Sequence, residues 1–242
     1  MLTREFEVTA EGRRVPAVLW TPADQAVRRP LLLIGHSGSQ YKTHPGMIDL
    51  ASRFVGNHGF AAAAIDGPIH GARRSDGLSG PAMQAEFLAL WKRDNRIDTM
   101  LADWRAAIDA LVEYDVVDAS AIGWYGISMG TAYGLPLAAA ERRIKVAVLG
   151  MWGADFVNSE RLALDAAKLR CPVLFQQKWN DQLFTREGQL DLFDRLGSEE
   201  KWLKVYPGQH VPVAGEQLLD IEDFLARRLR SLSNNPEEEE AQ

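Results

Sequence analysis

Ala121-Ile122-Gly123-Trp124-Tyr125-Gly126-Ile127-Ser128-Met129-Gly130-Thr131 runs an apolar, strand-like stretch directly into the pattern G-x-S-x-G. A serine with glycines two residues to either side can occupy a sharp strand-to-helix turn, because side chains at positions 126 and 130 would collide with neighbouring backbone there. Such a turn projects the hydroxyl outward and makes Ser128 the candidate nucleophile. The pattern is short enough to arise by chance, so its weight comes from what surrounds it.

Upstream, residues 5–9 and 15–20 are strand-like around the turn Ala10-Glu11-Gly12, which predicts an antiparallel hairpin at a sheet edge. Leu31-Leu32-Leu33-Ile34 is a continuous apolar run, as expected of a parallel strand covered on both faces. Residues 48–55 read as a helix closed by Gly56 and Gly59, and 60–65 as the next buried strand. Ile97, Leu101, Trp104, Ile108 and Leu111 recur at helical spacing and predict a crossover helix leading to the strand before Ser128. The helix expected over 129–142 contains Gly134 and Pro136, which predicts a short or kinked element. Strands follow at 144–149, 171–175 and 201–206, and Leu218, Ile221, Phe224, Leu225 and Leu229 stripe a closing helix. The alternation predicts an α/β fold, with a mostly parallel central sheet, the N-terminal hairpin, and helices on both faces. Residues 1–232 then form one domain, with 72–94 either a small lid or a layer that covers the sheet. The acidic segment 233–242 reads as a solvated, disordered tail.

Composition narrows the function. The chain has 242 residues, 46% hydrophobic and 25% charged, enough to bury one large core. A formal net charge of -6, without clustered Lys and Arg, argues against a nucleic-acid partner and for a small molecule. The single cysteine, Cys171, opens an apolar run and is expected to be a buried, inert thiol. No apolar run has membrane-spanning length and Met1 to Glu5 opens no export signal, so the cytoplasm is the expected compartment.

A serine hydroxyl needs a base to take its proton and a third group to orient that base. Of five histidines only His210 follows Ser128, and in folds of this kind the base and acid come after the nucleophile. His210 is therefore the expected base. Asp181, just past the 171–175 strand, is the expected acid, with Asp155 its rival beyond the strand before. Asp66, His36 and His70 precede Ser128 and are expected to be structural, with His36 holding its own loop. Trp152 and Trp179 each lie just past a strand end, where ligands bind in open α/β sheets, and are expected to narrow the substrate pocket alongside Ser37. No metal-ligand spacing accompanies these residues.

The loop Gly35-His36-Ser37-Gly38, the turn Asp66-Gly67-Pro68-Ile69-His70-Gly71, the Ser128 turn and the Asp181 and His210 loops together resemble the α/β-hydrolase superfamily, specifically small serine esterases similar to dienelactone hydrolases. The resemblance implies an oxyanion hole from the backbone N–H groups of Gly38 and Met129, with Ser37 the alternative donor. It also implies a carboxylesterase acting on a small-molecule ester without cofactor or metal. Two features depart from the pattern: dienelactone hydrolases carry cysteine where Ser128 stands, and the HGGG stretch of many lipases is absent. Peptidase, amidase or lactone hydrolase on the same triad, and a non-catalytic ligand-binding protein of this fold, are the alternatives. Short acyl chains are the expected substrates, because little sequence is left over for a large cap.

Overall fold

The computed structural model describes residues 1–234. Among them, eight strands form a single sheet: β1 (Leu2–Ala10), β2 (Arg13–Thr21), β3 (Arg29–Gly35), β4 (Ala61–Ile65), β5 (Val117–Gly126), β6 (Ile144–Gly150), β7 (Val173–Lys178) and β8 (Lys201–Tyr206). Their spatial order is β1-β2-β4-β3-β5-β6-β7-β8. The β1–β2 and β2–β4 pairs are antiparallel and every other pair is parallel. This is the expected architecture, with β5 in the middle of the sheet.

Alternation along the strands divides the core in two. Leu31 and Leu33 face one side with Ile122 and Trp124, while Leu32 and Ile34 face the other with Ala121 and Tyr125. Helices cover both faces, which is why these strands read as unbroken apolar runs. On the first face lie α2 (Gly80–Arg93), α3 (Ile97–Val112), α4 (Met129–Ala140), α5 (Glu160–Ala166) and α6 (Arg186–Asp194). On the second lie α1 (Pro45–His58) and α7 (Glu216–Asn234). Ile221, Leu225 and Leu229 of α7 repeat every four residues and are fully buried, each contributing about 1.5–3 kcal/mol.

Several boundaries differ from expectation for identifiable reasons. Helix α1 starts at Pro45, whose fixed φ suits the first helical position, and ends where Gly59 turns left-handed at φ 70°. Strand β7 runs on to Lys178 and begins two residues after Cys171, which is half-buried. Its polar half was invisible to hydropathy because side-chain bonds satisfy it: Gln176 donates to the Tyr206 hydroxyl and the Gln217 carbonyl, and Gln177 to the Arg186 carbonyl. Helix α4 continues through Pro136 to Ala140. Residues 233 and 234 of the expected tail close α7, and the rest of that segment lies outside the described residues. Within 72–94, α2 sinks Met83, Phe87, Leu90 and Trp91 into the core, and the Trp91 indole donates to the Val157 carbonyl at 2.7 Å. That is the packing of a covering layer, although the first turn of α2 also reaches the cavity described below.

Candidate active site

Ser128 follows the end of β5 and caps α4 with φ 61° and ψ -120°, a backbone conformation that side chains rarely adopt. Close packing enforces it. A Cβ on Gly126 would sit 2.5 Å from the Gly130 carbonyl oxygen, and one on Gly130 would sit 2.4 Å from that of Gly35. Bonds to the end of β6 hold the turn: the Ser128 N–H donates to the Gly150 carbonyl at 3.0 Å. The Thr131 hydroxyl lies between the carbonyls of Gly126 and Gly150, at 2.8 and 2.7 Å, and accepts from the Gly150 N–H. The sequence reading had no signal for Thr131 or Gly150, because their roles depend on β6 lying beside β5.

The three residues expected to act together are brought together. The Ser128 hydroxyl lies 2.9 Å from His210 Nε2, and His210 Nδ1 lies 2.9 Å from Asp181 Oδ2. The imidazole is 6% exposed and the carboxylate fully enclosed, so little water competes for either bond. Asp181 Oδ1 accepts from the N–H groups of Leu183 and Phe184, at 2.9 and 3.0 Å, and this directs Oδ2 at the ring. The carboxylate in turn fixes the tautomer, with the proton on Nδ1 and a free lone pair on Nε2 facing the serine. Gln182 Oε1 accepts from the His210 backbone N–H at 2.8 Å and ties the His210 loop to the Asp181 loop, a role the sequence did not suggest. Asp155 instead accepts from the Thr185 hydroxyl at 2.5 Å and makes no bond to His210 among the described residues.

The expected oxyanion donors are free to donate. Among the described residues neither the Gly38 nor the Met129 N–H finds an acceptor, whereas the Ser37 N–H donates to Gln40 Oε1 at 3.2 Å. A peptide unit is planar, so fixing its carbonyl aims its N–H. The Ser37 carbonyl accepts from His36 Nδ1 at 2.9 Å and from the Gln40 N–H at 3.0 Å, and these bonds orient the Gly38 N–H. His36 Nε2 accepts from the Gly67 N–H at 2.9 Å, and His70 Nε2 donates to the Gly38 carbonyl at 3.0 Å. Burial pushes His36 down to about 4 and His70 down to about 3, so both rings stay neutral and serve the loop as fixed donors and acceptors. Asp66 accepts from the N–H groups of Lys42 and Ala72.

A cavity of about 370 Å³ opens beside Ser128 and His210, on the face covered by α1 and α7. Ser37 lines it, with Met47 and Leu50 from α1, Tyr125 from β5 and Pro81 from α2. The two tryptophans do not, and here the structure corrects the expectation. Trp152 is fully buried in an aromatic cluster, 4.7 Å from Trp91 and 4.5 Å from Phe184 between ring centroids, with its indole donating to Ser159. Trp179 is 55% exposed, with the Arg186 guanidinium 4.4 Å over its ring. Lying just past a strand end did not tell which way either side chain would turn. Among the described residues no three His, Cys, Asp or Glu side chains group as a metal site, and no helix is long and apolar enough to cross a membrane.

An esterase described as cold-adapted, from an Arctic intertidal metagenomic library, is 36% identical to this chain, with 93% of each chain covered and a TM-score of 0.81. The chain is an esterase of the α/β-hydrolase superfamily. Two more distant structures share the fold with this esterase. A 2,6-dihydroxy-pseudo-oxynicotine hydrolase is 17% identical over 95% of this chain and 68% of its own, with a TM-score of 0.73. Est1E from Butyrivibrio proteoclasticus, bound to ferulic acid, is 17% identical over 95% and 99%, with a TM-score of 0.66. No family model matches the sequence, and no curated protein matches it.

Proposed function

We propose that this esterase hydrolyses short-chain acyl esters of small molecules through an acyl-enzyme on Ser128, with residues 1–232 acting as one catalytic unit. The observation that carries the reading is the unbroken line from Asp181 through His210 to Ser128, at 2.9 Å for each link. His210 Nε2 takes the Ser128 proton as Oγ attacks the ester carbonyl, and Asp181 stabilises the imidazolium that forms. The carbonyl oxygen gains negative charge in the tetrahedral intermediate, and the unengaged N–H groups of Gly38 and Met129 stabilise it there. His210 then protonates the departing alcohol. Water, deprotonated by the same ring, attacks the acyl-Ser128 carbonyl, releases the acid and restores the serine.

The test is covalent capture. A fluorophosphonate should add once to the wild-type protein by intact mass, and Ser128→Ala should be folded, unlabelled and essentially inactive. Labelling of the alanine variant at the wild-type rate would refute the assignment of Ser128.

A further inference from the structure

Two polar side chains in the cavity beside Ser128 have work that the hydrolytic mechanism does not use. Tyr125 projects from β5 to the side of the sheet covered by α1 and α7, lines the cavity, and is only 3% exposed. Among the described residues its hydroxyl has no hydrogen-bond partner, yet it is not one of the polar atoms sealed from all contact with open space. The hydroxyl therefore faces the cavity. Phenylalanine would fill the same space without the penalty of an unpaired hydroxyl, since a buried tyrosine O–H ordinarily finds a partner. Burial pushes the phenol pKa up, so the group remains a proton donor.

Gln40 is the second. It lines the same cavity at 6% exposure. Its orientation is fixed, because the Ser37 N–H needs an acceptor and Oε1 supplies it at 3.2 Å. The Nε2 amide is left with two protons, no partner among the described residues, and contact with open space. Among the described residues Asp49 is the only carboxylate on the cavity wall and no Lys or Arg lines it, so no cationic side chain there draws a charged group of the substrate.

We propose that Tyr125 and Gln40 form a polar subsite that selects esters carrying a neutral oxygen acceptor, an ether, ketone or hydroxyl, a few bonds from the scissile carbonyl. The inference rests on Ser128 as nucleophile and adds the substrate class. Purely aliphatic esters fill the same space but leave both donors unpaired, and that costs them rate at the transition state. The cavity then discriminates by the position of one oxygen as well as by length.

The experiment compares isosteric pairs. On the acyl side they are p-nitrophenyl methoxyacetate with butyrate, and 3-methoxypropanoate with pentanoate. On the alcohol side the pair is 2-methoxyethyl acetate with butyl acetate. For each pair the kcat/KM ratio of ether to alkyl ester is divided by the same ratio for hydroxide-catalysed hydrolysis, which removes intrinsic reactivity. In wild type at least one corrected ratio should exceed about five, the worth of one neutral hydrogen bond. The pair that responds tells whether the acyl or the alcohol part occupies the subsite. Tyr125→Phe should bring that ratio down towards one, and so should Gln40→Glu, which keeps the acceptor for Ser37 but turns the donor into a repelling oxygen. Corrected ratios near one for all three pairs in wild type would overturn the proposal without need of a variant. An elevated ratio left unchanged in folded Tyr125→Phe and Gln40→Glu would overturn it too, leaving both residues a packing role. If Ser128→Ala still turned over p-nitrophenyl acetate, the catalytic reading would fall along with this one; if Ser128 is required and the ratios are flat, only the subsite fails.

Discussion

Asp181→Asn is the sharpest perturbation of the site, because the surrounding bonds decide what the new amide must do. Oδ1 of Asp181 accepts two backbone N–H groups, from Leu183 and Phe184. In the variant only the amide oxygen can accept them, so the NH2 group is turned towards His210. Facing a donor, Nδ1 must give up its proton and become an acceptor, and the proton moves to Nε2, the atom 2.9 Å from the Ser128 hydroxyl. A protonated Nε2 cannot take the serine proton. Loss of the correct tautomer in a serine triad costs about 10⁴ in kcat, equivalent to about 5.5 kcal/mol of transition-state stabilisation. Asp155→Asn leaves the His210 tautomer alone and disturbs only the bond from Thr185, so kcat should change by less than about threefold. Steady-state hydrolysis of p-nitrophenyl acetate, with thermal melts to establish that each variant is folded, measures both. A folded Asp181→Asn enzyme within tenfold of wild type would refute the argument, and a larger loss from Asp155→Asn would move the acid there.

Acid should weaken the fold through the buried histidines. With His36 held down to about 4 against 6.5 in an unfolded chain, the native state binds fewer protons between those values, so stability is lost as pH falls from 6.5. The urea midpoint should drop between pH 7.5 and pH 5 by the equivalent of roughly 2 kcal/mol from this ring, and less in His36→Gln, which has no charge to gain; an equal drop in both proteins would count against the mechanism. Trp152→Ala, in the buried aromatic cluster, should cost about 3–5 kcal/mol in equilibrium unfolding, whereas Trp179→Ala at the surface should cost under 1 kcal/mol; comparable losses would mean that their burial is misassigned. For unsubstituted acyl chains, kcat/KM should rise by up to about fourfold per methylene from acetyl to butyryl, following about 0.8 kcal/mol per buried CH₂, and then collapse. A value still rising at decanoyl would refute the short-chain assignment.

What the sequence disclosed follows from what each signal encodes. The order of strands and helices was legible because both faces of the sheet are covered, so Leu31 to Ile34 and residues 144–149 stand out as apolar runs whatever packs on them. The approach of His210 to Ser128 agrees with its choice by elimination, and that of Asp181 to His210 with its place after a strand. Side-chain direction was not legible: Trp152 is the second residue past β6 and Trp179 the first past β7, and one turns into the core and the other towards solvent. The polar half of β7 was also hidden, because Gln176 and Gln177 are buried by partners more than eight residues away in the chain. Gln40 lies two residues past the Gly35-His36-Ser37-Gly38 loop, but its contact with Ser37 depends on which amide atom faces that residue, and spacing carries no information about that.

The bonds from β6 to the Ser128 turn also set an order of events during synthesis. The Ser128 N–H and the Thr131 hydroxyl both depend on the carbonyl of Gly150, a residue the ribosome adds after the whole G-x-S-x-G motif has been made. A nascent chain that ends within α4 carries the motif and its glycine packing but lacks the clamp from β6, so fewer contacts hold Ser128 at φ 61°. The turn gains its last backbone tether only when β6 docks, and the proposed base, His210, is added sixty residues later still. On the proposed mechanism, hydrolytic competence is thus withheld until His210 has emerged, and an excised peptide or a truncated translation product bearing the motif alone would be chemically mute.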